Sequence, residues 1–180
     1  VSSACGLDAN YIITEDGKAY LARIQLDDTD RYQFFEPGSL GERTKMDVSD
    51  VLIDGRNTTF EWASDVEVSF EKGDHTISYN GTIINNQFRA MFMTPMNVTI
   101  LLPNTVGVTN PLLAMISGNA EIITEDDGSA KVVWNDTRAF TLQYYDPMQE
   151  FMLTTFGTIW VVLVIVFMVP YLGQRMRKKE

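Results

Sequence analysis

Few of the residue types that carry acid–base, nucleophilic or metal chemistry stand in a usable pattern in this 180-residue chain. It has one histidine, His75, and one cysteine, Cys5. A Ser-His-Asp site would have to use His75, yet no Gly-x-Ser-x-Gly elbow presents a serine to it. Beside Asp74 at the edge of a strand, His75 reads as a satisfied surface residue. A Cys-His pair would need Cys5, next to the start of the sequence. Neither a Gly-Lys-Ser/Thr phosphate loop nor a dinucleotide fingerprint occurs. The expectation is no catalytic residue, no cofactor and no enzymatic activity.

Two patterns could hold a metal. Met91, Met93 and Met96 carry soft thioethers of the kind that select copper(I), and Met91 and Met93 share one face of a strand. Core filling explains the same residues, and no histidine lies near them. The clusters Asp27-Asp28-Asp30 and Glu125-Asp126-Asp127 fall where turns are predicted. Neither has the spacing of a calcium-binding loop, so they read as solvated turn charge. Paired carboxylates hydrolyse glycans when a cleft brings two of them together, and nothing in the order of residues does that here.

Two modifications are signalled instead. Asn-x-Thr sequons stand at Asn57, Asn80, Asn97 and Asn135, where chance alone would give about one or two. Asn80, followed by Gly81, is expected in a hairpin turn that offers it to solvent. Ser3-Ala4-Cys5-Gly6 looks like the lipobox of exported lipoproteins, which would make Cys5 a lipid-modified N-terminus and residues 1–4 part of a precursor. The opening VSSACGLDANY contains no apolar run, so an export signal is expected to have been removed or to lie outside these residues.

Position in the cell follows from the other end. Residues 151–172, FMLTTFGTIWVVLVIVFMVPYL, carry no charge. As a helix they are long enough to cross the hydrocarbon core of a bilayer. Arg175, Arg177, Lys178 and Lys179 follow at once, whereas Asp146 and Glu150 precede. The positive-inside rule then puts the tail in the cytoplasm and the larger part outside. With no ionisable group in the span, the helix is an anchor, with Thr154 and Gly157 available for packing. Before residue 151 there are 10 Lys and Arg against 23 Asp and Glu. Such an acidic surface excludes nucleic acid as a partner, because phosphate binding rests on clustered cations.

Residues 10–146 read as β almost throughout. Strands are expected at 19–26, 31–35, 60–63, 65–71, 75–79, 82–84, 87–93, 97–102, 120–124, 130–134 and 138–145. Turns fall at Asp27-Asp28-Thr29-Asp30, Asn80-Gly81, Pro95, Glu125-Asp126-Asp127-Gly128 and Asn135-Asp136, with a loop over residues 36–54. Many short strands separated by turns point to a β-sandwich. The division is 1–9 lipobox remnant and flexible N-terminus, 10–146 extracytoplasmic β domain, 147–173 transmembrane helix and 174–180 basic cytoplasmic tail.

The string VTILLPNTVGVTNPLLAMIS, the hairpin ending KVVW and the FTLQYY before the helix resemble an uncharacterised family of archaeal membrane-anchored lipoproteins. That resemblance, which runs from Asn97 onward, implies a lipobox, a β ectodomain and a C-terminal helix, and no activity. The sequence therefore leads to a non-enzymatic surface protein. Its partners would be the bilayer and other membrane or cell-surface proteins, which it would contact directly or join as an accessory subunit. The alternative is capture of a solute or metal by the ectodomain.

Overall fold

The computed structural model describes residues 7–38, 40–56 and 60–177, and of residues 170 and 172–177 the backbone alone. Cys5 and Asn57 lie outside the described residues. The chain divides into two units, 1–145 and 146–180.

The first unit is mainly β. Its strands are β1 (Leu7–Ile13), β2 (Ala19–Gln33), β3 (Phe35–Pro37), β4 (Arg43–Lys45), β5 (Val48–Ile53), β6 (Phe60–Ser64), β7 (Glu67–Thr82), β8 (Gln87–Leu102), β9 (Met115–Ile116), β10 (Glu121–Thr124) and β11 (Ala130–Gln143). All belong to one sheet with the order β10-β11-β8-β1-β2-β7-β5, and β3, β4, β6 and β9 attach at its sides. The expected two-sheet sandwich is replaced by a single sheet curled into a half-barrel. β1 begins at Leu7 and runs parallel to β8, so residues 7–9, expected in a flexible terminus, belong to the sheet.

Strand length is the reason for the difference. Each expected break at 27–30, 72–74, 94–95 and 135–136 turns out to be a bulge inside a strand of 14 to 16 residues. Register between β2 and β7 shifts between Leu26, Thr29 and Arg31. Register between β8 and β11 shifts between Trp134, Thr137 and Ala139. Extra residues on one strand bend it and increase its twist, so two bulged pairs at one level crease the sheet. Pro95, without an N–H to donate, sits where the ladder is already interrupted. Asp28 and Asp136 both adopt left-handed backbone conformations at these bulges. Short polar side chains tolerate that region.

Asn80-Gly81 is no turn either: it lies within β7, with Gly81 opposite Tyr20 of β2. The reversal comes at Asn85-Asn86, both left-handed, bridged by Ile84 and Gln87. Gly81 is there for close approach, since a Cβ would collide with the Tyr20 ring. Within the region expected as a loop, Asp54-Gly55 makes a second tight hairpin, with Ile53 and Arg56 exchanging both backbone bonds at 2.9 Å. The hairpin at Glu125–Gly128 joins β10 to β11 as the sequence indicates.

Curling turns one face inward, and that face is aromatic. Alternate residues of β1, β2, β8 and β11 are buried, and the Tyr11 ring meets those of Tyr20, Phe88 and Phe140 edge-on at 5.8, 5.0 and 5.7 Å. Phe34 packs edge-on against Tyr79 at 5.0 Å, and Trp134 stacks on Phe140 at 5.1 Å. Such pairs add about 0.5–1.5 kcal/mol each to the hydrophobic contribution of burial. The Trp134 indole N–H donates to the Ser117 carbonyl at 2.7 Å, and the Tyr144 hydroxyl donates to the Gly17 carbonyl. The Tyr11 hydroxyl, fully buried, faces that of Tyr79 without closing a well-formed hydrogen bond.

The second unit is the helix α1 (Pro147–Arg177). Asp146 caps it: its carboxylate accepts the Met148 N–H at 2.7 Å while its own N–H donates to the Gln149 side chain at 3.3 Å. With Pro147 as first helical residue, Asp146 is the N-cap and Gln149 supplies the reciprocal half of a capping box. The stretch Pro147–Val169, 23 residues, is long and apolar enough to cross a membrane, and none of it is buried. The Thr154 and Thr158 hydroxyls donate to carbonyls one turn back at 2.9 Å, so neither needs water. The helix continues to Arg177, past the boundary expected at 173.

Substitutions test the inner face. Gly81→Ala forces a methyl into the boxed-in Tyr20 ring and is expected to destabilise by about 1–3 kcal/mol. Tyr11→Phe removes a hydroxyl with no well-formed bond and is expected to be neutral or stabilising by up to about 1 kcal/mol, whereas Tyr144→Phe loses a made bond and should destabilise by about 1 kcal/mol. Urea unfolding of the detergent-solubilised chain, followed by near-ultraviolet circular dichroism, checks all three.

Candidate functional site

The crease generates a concavity that gathers residues the sequence singled out. β1 lies between β8 and β2, but its first residue, Leu7, is opposite Met96, level with the bulges. Beyond that level β2 and β8 part, and the next link between them is β3, whose Phe35 pairs with Met91. The gap between them is a cavity of about 510 Å³. Leu7, Leu26, Tyr32, Met93 and Met96 form its apolar lining, and Asp27, Asp28, Asp30 and Arg31 lie along the β2 side.

The three methionines are not brought together. Met96 is buried on the core face, Met93 is 55% exposed, and both border the cavity; Met91 pairs with Phe35 and Ala139 outside it. No group of three His, Cys, Asp or Glu that could hold a metal occurs among the described residues.

The acidic residues of the bulge are held in pairs. The Asp74 carboxylate accepts the Asp28 backbone N–H at 2.9 Å, and Lys72 reaches Asp28 at 3.0 Å. Asp27 stands against Asp74, and the hydrogen bond between the two carboxyls, then their repulsion, raises the pKa of Asp27; the Asp28 N–H lowers that of Asp74. In the other acidic cluster, Asp127 accepts both the N–H and the hydroxyl of Ser129, at 2.9 and 2.6 Å, and so closes its own turn.

His75 is a clasp. Its Nδ1 is 2.8 Å from an Asp54 carboxylate oxygen and its Nε2 is 2.8 Å from the Glu71 carbonyl, so the doubly protonated ring donates at both ends. The second Asp54 oxygen accepts the Thr76 N–H at 2.8 Å, tying the β5 hairpin to β7. Hydrogen bonding to Asp54 raises the His75 pKa above its ordinary 6.5, and hydrogen bonding to His75 lowers that of Asp54. The signal that finds this clasp is the Asp54-Gly55 dipeptide, which fixes the turn carrying the carboxylate.

The sequons differ in access. Asn80 donates to Asp50 at 3.0 Å from within a strand, instead of presenting itself at a turn. Asn97 donates to Asp8 and accepts from the Asp136 N–H, both at 3.3 Å. Asn135 lies exposed at the β11 bulge.

Linkage gives the His75 clasp a sign. A group whose pKa rises on folding stabilises fully below its unfolded value, near 6.5 here, and loses that contribution as pH rises through the folded value. Above that unfolded value the chain is therefore expected to lose up to about 1 kcal/mol, the modest size reflecting solvent screening of a surface pair. Asp54 is indeed half-exposed. His75→Gln should flatten the slope; melting temperature measured against pH checks it.

No curated protein matches this sequence. Among solved structures, a mutant of the M1 zinc metallopeptidase from Deinococcus radiodurans is similar at 13% identity with a TM-score of 0.42, covering 77% of this chain and 42% of that one. A two-domain M1 zinc metallopeptidase mutant bound to L-tryptophan is similar at 12% identity with a TM-score of 0.40, covering 77% and 43%. This chain thus spans less than half the length of the proteins it resembles, and nothing about its chemistry follows from a likeness at that level. Residues 7–178 match the model of a family of unknown function, DUF5803, and the chain belongs to that family.

Proposed function

We propose that this chain is a membrane-anchored surface protein whose curled sheet, held outside the membrane by α1, contacts another membrane or surface protein. The observation that carries the anchoring is the bare helix: every described side chain from residue 151 to residue 169 is exposed, and in water such a surface would aggregate. The basic residues after it favour a cytoplasmic C-terminus. The resemblance to archaeal lipoproteins supports a second anchor, a lipid on Cys5; with one chain alone giving reversible binding, two anchors make attachment durable.

Contact through the sheet is supported by its outer face. Ile12, 50% exposed, pairs with Leu21 on one side and Leu101 on the other, themselves 46% and 43% exposed. Three adjacent strands thus present a continuous apolar row to solvent, flanked by Asn80 and Lys131 in the neighbouring strands. A second reading, ligand capture, is favoured by the cavity at the crease, whose volume falls within the usual range for small-molecule sites.

The experiment that tests the placement is protease treatment of intact cells. It should cleave the sheet domain while membranes retain a fragment containing α1 through alkaline carbonate washing. A domain protected in intact cells, or a chain released by carbonate, overturns it. For the contact, a photo-crosslinker at Ile12 in the full chain should give a discrete adduct in native membranes that Leu21→Asp abolishes, with no adduct from the same probe at Glu61. If the ectodomain is glycosylated, glycopeptide mapping should find Asn135 occupied ahead of Asn80 and Asn97, whose amides are engaged.

A further inference from the structure

We infer that the sheet domain rests on the lipid surface through the face from which its chain departs, with Leu112 and Ile84 as the inserted side chains. The inference deepens the anchoring proposed above and rests on it. Tyr145 is the last residue of the sheet unit, and the candidate span opens at Pro147, two residues later. Two residues of extended chain reach about 7 Å, so whatever is fixed to Tyr145 lies near the bilayer.

Two exposed apolar side chains are fixed there. The Tyr145 backbone exchanges both hydrogen bonds with Gly107, at 2.8 and 2.9 Å, and its hydroxyl accepts the Asn110 N–H at 3.3 Å. Asn110 then accepts from the N–H groups of Leu112, Leu113 and Ala114, and this closed turn holds Leu112 out at 79% exposure. On the other side, the Tyr144 N–H donates to the Asn86 carbonyl at 3.2 Å, and the tight turn containing Asn86 holds Ile84 out at 73% exposure. Leu112 and Ile84 each lie two residues from a group bonded to Tyr145 or Tyr144. A large aliphatic side chain on a tight turn suits the acyl boundary of a bilayer, and here the N–H groups of Leu112, Leu113, Ala114 and Gln87 already have partners within their turns.

The charges beside this face fix the kind of lipid. Glu15 and Asp16 lie in the β1–β2 turn, whose Gly17 carbonyl holds Tyr144, and Asp146 follows Tyr145; Lys18 is the cation of that turn. Acidic neighbours give no attraction to anionic headgroups, so the contact is hydrophobic and the fitting surface is zwitterionic.

Spin labels report it. The full chain with Cys5→Ser and one of Leu112→Cys, Ile84→Cys, Leu40→Cys or Val164→Cys is reconstituted in phosphatidylcholine vesicles, and collision with oxygen is compared with collision with a water-soluble nickel chelate. Val164, inside the candidate span, reports the anchoring; Leu40, 93% exposed between β3 and β4, reports water. The expected oxygen-to-nickel ratio at positions 112 and 84 is severalfold above that at position 40, and raising salt leaves it unchanged. Values at 112 and 84 equal to that at 40, with a lipid value at 164, overturn this inference and leave the anchoring intact. An aqueous value at 164 removes both. Lipid values at all of 112, 84 and 40, or shielding of 112 and 84 from both relaxers as in a protein contact, overturn it as well.

Discussion

Strands of 14 to 16 residues cannot stay flat and also enclose their aromatic face, because the inner side of a straight sheet would remain open to water. Coincident bulges in β2, β7, β8 and β11 relieve this by creasing every long strand at the same level. Burial of Tyr11, Tyr79, Phe140 and Phe34 follows from the bend, as does the half-barrel form. So does the cavity, which exists because β1 begins at the crease while β2 and β8 continue past it.

Side chains at the crease have the chemistry that bulges require. A bulge leaves backbone groups without ladder partners and brings residues into left-handed conformations, and short acids and amides satisfy both demands. Asp74 binds the freed Asp28 N–H, and Asn97 binds the freed Asp136 N–H. The acidic residues at the crease are thus part of the architecture. His75 and Asp54 do similar work one step away, holding the edge strand β5 onto β7.

The two units dispose of their apolar side chains in opposite ways. In the sheet domain no polar or charged side chain is buried among the described residues apart from tyrosines, whose phenols are pushed up first by that burial. In α1 the apolar side chains face outward, the two threonines bond to their own helix, and the Asp146 cap satisfies the Met148 N–H at its start. Each unit closes its own end: Gly107 and Asn110 hold Tyr145 in the first, and Asp146 caps the helix in the second.

The residue order by itself determined the apolar helix, the β character of residues 10–146 and the Glu125–Gly128 hairpin, because each rests on a local pattern of period, charge or turn chemistry. Asp146-Pro147 with Gln149 also carried a cap signal that local reading could find. Tertiary structure decided which polar dipeptides turn the chain and which merely bulge it. Asn80-Gly81 has the better turn chemistry, yet a hairpin there would make β7 and β8 neighbours, and the β1–β2 pair occupies the place between them. Gly81 serves instead to admit the Tyr20 ring. Local propensity ranks turns, but the choice between a turn and a bulge belongs to partners far away in the sequence, and only the assembled sheet brings those partners together.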